Sequence, residues 1–146
     1  MLRILTPVFA LGLLALSSQS AQAYCIYNHT DGWDLRVKQM TGGNFSAEPN
    51  GKGARACCPW DTMSCNSTLQ RTGVVTIWVQ GWKGREGPEG NVQGMSGSCG
   101  TIPSTIDVQA GGWIEIYSGS DRADRDRAFH CIAYGADGKV TSVVTK

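Results

Sequence analysis

Apolar and polar residues alternate along most of this chain, in short segments separated by turns rich in glycine and asparagine. Between Trp33 and Met40 the alternation is clean, with Trp33, Leu35 and Val37 on one side and charged residues between them. A period of two is typical of a strand that buries one face. No segment shows helical periodicity over more than two turns, so the pattern predicts an all-β protein.

The spacing of these segments predicts an antiparallel β-sandwich or small barrel of seven or eight strands. Asp31-Gly32 and Asp137-Gly138 are turn signals that favour hairpins between the first two and the last two strands. Residues 81–100 carry seven glycines, and we expect a long irregular loop there. The predicted strands are Tyr24–Tyr27, Trp33–Met40, Ala54–Cys58, Val74–Val79, Thr105–Val108, Trp113–Ser118, Ala128–Tyr134 and Val140–Thr145.

The first residues are typical of a secretory signal peptide. Arg3 supplies the positive charge, Val8–Leu16 is a short apolar segment, and Ala21-Gln22-Ala23 fits the cleavage pattern. We therefore expect residues 1–23 to be a signal peptide and residues 24–146 to form one domain of a secreted, extracellular protein.

All six cysteines lie after the predicted cleavage site, and an even number in an exported chain indicates three disulfides. Cys57 and Cys58 are neighbours, which rarely bond to each other, so they should anchor two different parts of the fold. We expect one of them to close a short loop to Cys65 and the other to cross to Cys25, Cys99 or Cys131. A metal site is disfavoured, because the spacing lacks paired C-x-x-C motifs and only two histidines are present.

Two further features concern the surface. Asn28, Asn44 and Asn66 each begin an N-x-S/T sequon, which predicts a glycoprotein. Outside the predicted signal peptide, basic and acidic residues are equal in number, so the chain lacks the excess of positive charge that binding to nucleic acid requires. We expect no nucleic-acid partner.

The tryptophans are the most distinctive candidates for a binding site. Trp78 and Trp82 lie on the outer face of the strongest predicted strand and lead into the glycine-rich segment, where Lys83 and Arg85 follow. Aromatic rings displayed in this way can stack on sugars or lie at a membrane surface. The alternative is that they pack beneath the long loop.

Catalytic motifs are weak. His29 and His130 could act together in acid–base chemistry, and His130 is the residue that a small secreted hydrolase would need. An exposed loop carrying Lys83 and Arg85 would instead suit a protease inhibitor. The acids in Asp121–Arg127 could bind calcium, but three interleaved arginines favour a solvated, self-paired loop. No cofactor is predicted.

The run ACCPW-x-x-x-SCN at residues 56–66, together with AGGW at residues 110–113, resembles small secreted cysteine-rich proteins of fungi and similar microbes. This resemblance implies a host-directed effector or a surface-binding protein. The architecture is also similar to thaumatin-like and aegerolysin-like sandwiches at the level of fold, which does not determine function. We therefore expect a secreted, non-catalytic protein of effector or virulence type that binds an extracellular glycan, a membrane or a host protein.

Overall fold

The computed structural model describes residues 23–86, 92–99, 104–119 and 126–144, and it confirms an all-β, barrel-like protein. These residues form ten strands, two more than the largest number predicted. The additional strands are β3 and β6. The strands are β1 Ala23–Asn28, β2 Asp34–Gln39, β3 Ser46–Ala47, β4 Arg55–Pro59, β5 Val74–Glu86, β6 Val92–Cys99, β7 Thr105–Gln109, β8 Trp113–Ser118, β9 Asp126–Tyr134 and β10 Val140–Val144.

The long strands β5 and β9 organise a single, nearly closed sheet with the order β3-β2-β5-β6-β9-β8-β1-β4. One edge of β5 pairs with β2, while its other edge pairs first with β7 and then with β6. Likewise, β9 pairs with β8 on one edge, and with β6 and then β10 on the other. Seven of these pairings are antiparallel, and β1–β8 and β6–β9 are parallel.

The inward faces of the strands form one hydrophobic core. Tyr24 is fully buried, and its hydroxyl donates a hydrogen bond to Gln39 Oε1 at 2.8 Å. Burial raises the pKa of this tyrosine far above its usual range, because the phenolate would lie in a poorly solvated site. Trp33 packs edge-to-face on Phe129 with ring centroids 5.2 Å apart. The remaining large core residues are Ile26, Leu35, Val37, Val75, Ile77, Val79, Ile106, Val108, Ile114 and Ile116.

The chain forms three disulfides, two of which join strands to each other, and all six cysteines take part. Cys58 closes the short loop to Cys65, and its neighbour Cys57 crosses to Cys25, so the predicted division of the adjacent pair is confirmed. Cys99–Cys131 joins β6 to β9 next to the point where β9 changes its partner from β6 to β10. Three disulfides in a small all-β protein are compatible with an extracellular location.

The predicted hairpin between the first two strands is wrong. The chain does turn at Gly32, whose φ is +72°, but β1 then pairs with β4 and β8 while β2 pairs with β3 and β5. The predicted hairpin at the other end is confirmed, because β9 and β10 are antiparallel neighbours around Asp137-Gly138. A turn signal defines where the chain reverses, but not which strand becomes the partner.

The predicted irregular loop at residues 81–100 is also wrong. Residues 80–86 pair with residues 92–98 in an antiparallel ladder, so most of this segment forms the arms of a hairpin. Glycine is poorly represented in strands in general, and its abundance here hid the pattern. Residues 1–22 of the predicted signal peptide and residues 121–125 of the charged segment lie outside the described residues.

Candidate functional site

Trp78 and Trp82 both lie on the outer side of the barrel. Buried and outward residues alternate along this part of β5, and the two tryptophans belong to the outward set. Trp82 is 57% exposed, whereas Trp78 is half-buried between its cross-strand neighbours Lys38 and Thr105. A large aromatic side chain left in water forgoes favourable burial, which makes Trp82 a candidate contact residue.

Gly81 explains how β5 holds Trp82 in place. A Cβ atom at this position would lie 2.6 Å from Phe129 Cζ and 2.8 Å from Leu35 Cδ2. The core side chains of Phe129 and Leu35 therefore pack directly against the backbone of β5 at Gly81. Because successive strand residues point to opposite faces, Trp82 is directed outward from a firmly packed strand.

Polar residues of neighbouring strands surround the exposed ring. Asp34 of β2 and Ser96 of β6 lie directly opposite Trp82 in the two ladders. Arg36 forms an exposed ion pair with Glu48, with Nη2 and Oε1 3.0 Å apart. Hydrogen-bonding groups therefore border an apolar ring. We call this surface the Trp82 face; its outward residues are Asp34, Arg36, Lys38, Trp78, Gln80, Trp82, Ser96 and Ser98.

Lys83 and Arg85, the other two predicted binding residues, continue β5 beyond Trp82. Lys83 belongs to β5, and its Nζ donates a hydrogen bond to the backbone carbonyl of Asp31 at 2.7 Å. Arg85 also belongs to β5, opposite Gln93, and its side chain lies outside the described residues. Residues 83–85 are thus strand residues, and the exposed loop that a protease inhibitor would need is not present at this position.

The turn at Asp31, which Lys83 contacts, is rich in charge. Asp31 forms an exposed ion pair with Lys52 at 2.8 Å. The hydrogen bond and charge of Lys52, followed by the charge of Lys83, hold the pKa of the Asp31 carboxyl below its usual value. Both lysines therefore bind groups of the turn itself, Lys52 the Asp31 carboxylate and Lys83 the Asp31 carbonyl.

A second cluster lies on the outer face of β8 and β9, and the sequence analysis did not identify it as a site. The half-buried Glu115 carboxylate accepts three hydrogen bonds from aromatic side chains. Trp113 Nε1 donates to Oε1 at 3.3 Å, and the hydroxyls of Tyr117 and Tyr134 donate to Oε2 at 2.8 and 3.2 Å. Trp113 and Tyr134 also stack, with centroids 4.6 Å apart and planes 12° apart. We call these four residues the Glu115 cluster.

Only the strand register brings this cluster together. In the sequence, Trp113, Glu115 and Tyr117 alternate with two isoleucines along one strand, which predicts that these three residues lie on the face opposite the core. Tyr134, however, lies directly across from Trp113 in β9, and no local pattern predicts that pairing. The available signal was three large polar or aromatic residues on the supposed solvent side of one strand.

Glu115 changes the acidity of its tyrosine partners. The hydrogen bond to Glu115 is the main cause that raises the pKa of Tyr117, whereas desolvation and then the charge of Glu115 raise that of Tyr134. Both effects favour the neutral phenol, because a phenolate would lie beside a carboxylate. The stability this provides is present below the ordinary tyrosine pKa and is lost as pH rises through the folded-state pKa.

We therefore expect the variant Glu115→Gln to lower the pKa of Tyr117, because the neutral amide removes the adjacent negative charge. Tyrosinate absorbance followed during an alkaline titration measures this directly. The variant Asp34→Asn, on the opposite side of the barrel, is the control and should leave the titration unchanged. Identical curves for Glu115→Gln and the parent protein would contradict the arrangement described.

The two histidines do not pair with each other directly. The ring of His29 lies 5.0 Å from that of Tyr117 and 6.2 Å from that of Tyr27, nearly parallel to both, while His130 lies 6.3 Å from Tyr117 on its other side. Within the described part of the chain, no side-chain hydrogen bond joins His130 to a carboxylate. The structure thus places both rings beside Tyr117, with His29 stacked on it and His130 tilted by 45°.

Two of the three sequon asparagines are buried. Asn28 is 0% exposed, and its amide nitrogen donates to the carbonyls of Trp33 and Pro49. Asn66 is 1% exposed, and its nitrogen donates to the carbonyls of Trp60 and Gln70. In each motif the threonine hydroxyl donates back to the asparagine carbonyl oxygen, which makes a local turn. Asn44, by contrast, is exposed.

The described residues hold one further cavity of note, an open cleft of about 290 Å³ between β7 and β10. No described ladder pairs β7 with β10, so the cleft lies at a gap in the barrel wall. Its one acid, Asp107, accepts a hydrogen bond from Thr76 Oγ1 at 2.7 Å. The lining residues are Val74, Asp107, Val108, Gln109, Thr141 and Ser142.

Within ranges 23–86, 92–99, 104–119 and 126–144, no group of three or more histidine, cysteine or acidic side chains converges as metal ligands would. In the same ranges, no helix has the length and apolar character needed to cross a membrane. Neither a family model, nor a curated protein, nor a solved structure matches this chain with significance.

Proposed function

We propose that this protein is secreted and acts without catalysis, by binding an extracellular glycan through the Trp82 face. The observation that carries the proposal is the 57% exposure of Trp82 on a packed central strand. Sugar rings present apolar C–H faces that stack on an aromatic ring, and their hydroxyls need hydrogen-bonding partners around it. The Trp82 face offers both.

The charges on this surface favour a glycan over the other partners considered. Asp34 and Arg36 border the ring, and a membrane interface would have to desolvate them. Asp34 borders the ring, and the other carboxylate at this surface, Glu48, is engaged in an ion pair with Arg36, whereas sugar hydrolysis uses a pair of acids. Binding rather than turnover is the activity that this surface supports best.

In its most concrete form, the role is that of a host-directed effector that acts outside the producing cell. The three disulfides suit that environment, because they constrain the unfolded chain where chaperones and reducing agents are absent. Asn44 is the sequon asparagine exposed in the fold, and it is the position where we propose that a glycan is attached.

The test is a glycan array probed with the folded, oxidised protein. We expect Trp82→Ala to weaken binding by about 2 kcal/mol, roughly thirtyfold, as for a central aromatic contact. Trp82→Phe should retain part of the affinity, because it keeps a ring that can stack. Met63→Ala is the matched control, since Met63 is 64% exposed in the turn after β4 and does not belong to the Trp82 face.

Two outcomes would contradict the proposal. Unchanged glycan binding by Trp82→Ala would show that the contact surface lies elsewhere. Binding to liposomes or to host extracellular proteins in parallel assays, with no glycan bound, would assign the surface to a different class of partner.

A further inference from the structure

The Glu115 cluster contains a negative charge that no cation of the described chain neutralises. The carboxylate is half-buried, and its partners are the N–H of Trp113 and the hydroxyls of Tyr117 and Tyr134. No ion pair to lysine or arginine is formed by Glu115 in the described ranges. Among the described residues the charge is therefore held by neutral donors, which stabilise it less than a cation would.

The two histidines on this side of the barrel lie around Tyr117 rather than at the carboxylate. His29 and His130 have their rings 5.0 and 6.3 Å from that of Tyr117. Arg55 is exposed on β4 and lies opposite Tyr27 of β1. Tyr27 in turn lies opposite Glu115 of β8. Arg55 is thus separated from Glu115 by a full strand. The space above the carboxylate is bordered by aromatic rings.

We propose that the Glu115 cluster is a binding site for an organic ammonium group. A cation is attracted both by a carboxylate and by the faces of tryptophan and tyrosine rings, and the two attractions add when the groups are adjacent. Here Trp113 and Tyr134 stand stacked beside Glu115, with Tyr117 on its other side along β8. From the described residues Glu115 Oε1 accepts one hydrogen bond, at 3.3 Å, so it retains capacity for an N–H donor.

A purely structural role would not require the charge. Glutamine has nearly the same shape as glutamate, and its carbonyl oxygen can accept hydrogen bonds from the two tyrosine hydroxyls. Its NH2 group cannot accept from Trp113, so the variant gives up the long hydrogen bond of 3.3 Å. The ammonium site, in contrast, depends on the negative charge itself. Glu115→Gln therefore separates the two roles, because it preserves the packing of the rings and removes the attraction for a cation.

The experiment titrates the full oxidised protein with choline, with butylammonium, and with 3,3-dimethylbutan-1-ol as the uncharged analogue of choline. The NMR resonances of the tryptophan and tyrosine side chains report binding at the site. We expect saturable binding of at least one ammonium compound, none of the alcohol, and a loss of roughly tenfold or more in Glu115→Gln. Choline represents a quaternary head group and butylammonium a lysine or amino-sugar amine, so the stronger binder identifies the source.

Asp34→Asn is the matched control, because Asp34 is a half-buried acid on the Trp82 face and its loss should leave ammonium binding unchanged. The proposal is overturned if neither ammonium compound saturates, if the alcohol binds equally well, or if Glu115→Gln binds like the parent. If that variant misfolds, the parent protein alone still tests the proposal. The ammonium compound must then shift the NMR signals of the Trp113 indole and of Tyr134, and not those of Trp82. This site is independent of the Trp82 face, so either proposal can fail without the other.

Discussion

Replacing Gly112 with alanine is expected to lower the free energy of unfolding by about 3 kcal/mol or more. A Cβ atom at Gly112 would lie 2.0 Å from the backbone oxygen of Tyr134 and 3.0 Å from its carbonyl carbon. Backbone cannot rotate away as a side chain can, so β8 and β9 would have to separate. The clash falls at the end of their ladder, where Trp113 lies opposite Tyr134.

Chemical denaturation monitored by tryptophan fluorescence measures this effect. Gly111→Ala is the matched control, because the atoms nearest to a Cβ at Gly111 belong to the exposed side chain of Arg71, which can move aside. We expect the control to lose clearly less stability than Gly112→Ala. If the Gly112 variant were within about 1 kcal/mol of the parent protein, the close approach of these strands would be wrong.

Removing the Cys99–Cys131 disulfide is expected to cost about 4 kcal/mol. The two cysteines are 32 residues apart, and the loss of loop-closure entropy in the unfolded chain accounts for most of that value. Both cysteines are 0% exposed, so their replacement by alanine also removes packing from the core. The bond joins β6 to β9 where β9 changes partners, a place with fewer ladder bonds to compensate.

The other two disulfides provide matched comparisons. Cys25–Cys57 has the same separation of 32 residues but includes the exposed Cys57, so its replacement by two alanines isolates the contribution of loop closure. Cys58–Cys65 closes a separation of only 7, and we expect its removal to cost about 2.5 kcal/mol. Denaturation of the three double-alanine variants gives the order of the three stability costs directly. A cost for Cys99–Cys131 no larger than for Cys58–Cys65 would contradict this account.

Both proposed sites lie on outward faces of central strands rather than on loops. Trp82 belongs to β5 and Glu115 to β8, and each follows from the same alternation that buries the core on the other side. Strand positions hold side chains more firmly than loop positions do, which lowers the entropic cost of binding. The two faces could therefore engage different chemical groups, a sugar ring at one and an ammonium at the other.

The linear pattern of residues was sufficient for the fold class and for most strands. The period of two is a local property, so Trp33 to Met40 and Trp113 to Ser118 could be recognised without knowledge of the fold. The adjacent cysteines were equally informative, because a rigid peptide unit prevents Cys57 and Cys58 from bonding to each other. The exposure of Trp82 was one of two alternatives that sequence reasoning left open.

Tertiary structure alone decided which strands pair and in which register. That choice depends on contacts between distant residues, so no local signal placed Tyr134 beside Glu115 or separated β1 from β2. It also explains one glycine of residues 81–100, because at Gly81 the core side chains occupy the space where a Cβ would be. The same holds for Asn28 and Asn66, whose motif predicts an exposed sequon but whose amides the fold uses as buried hydrogen-bond donors.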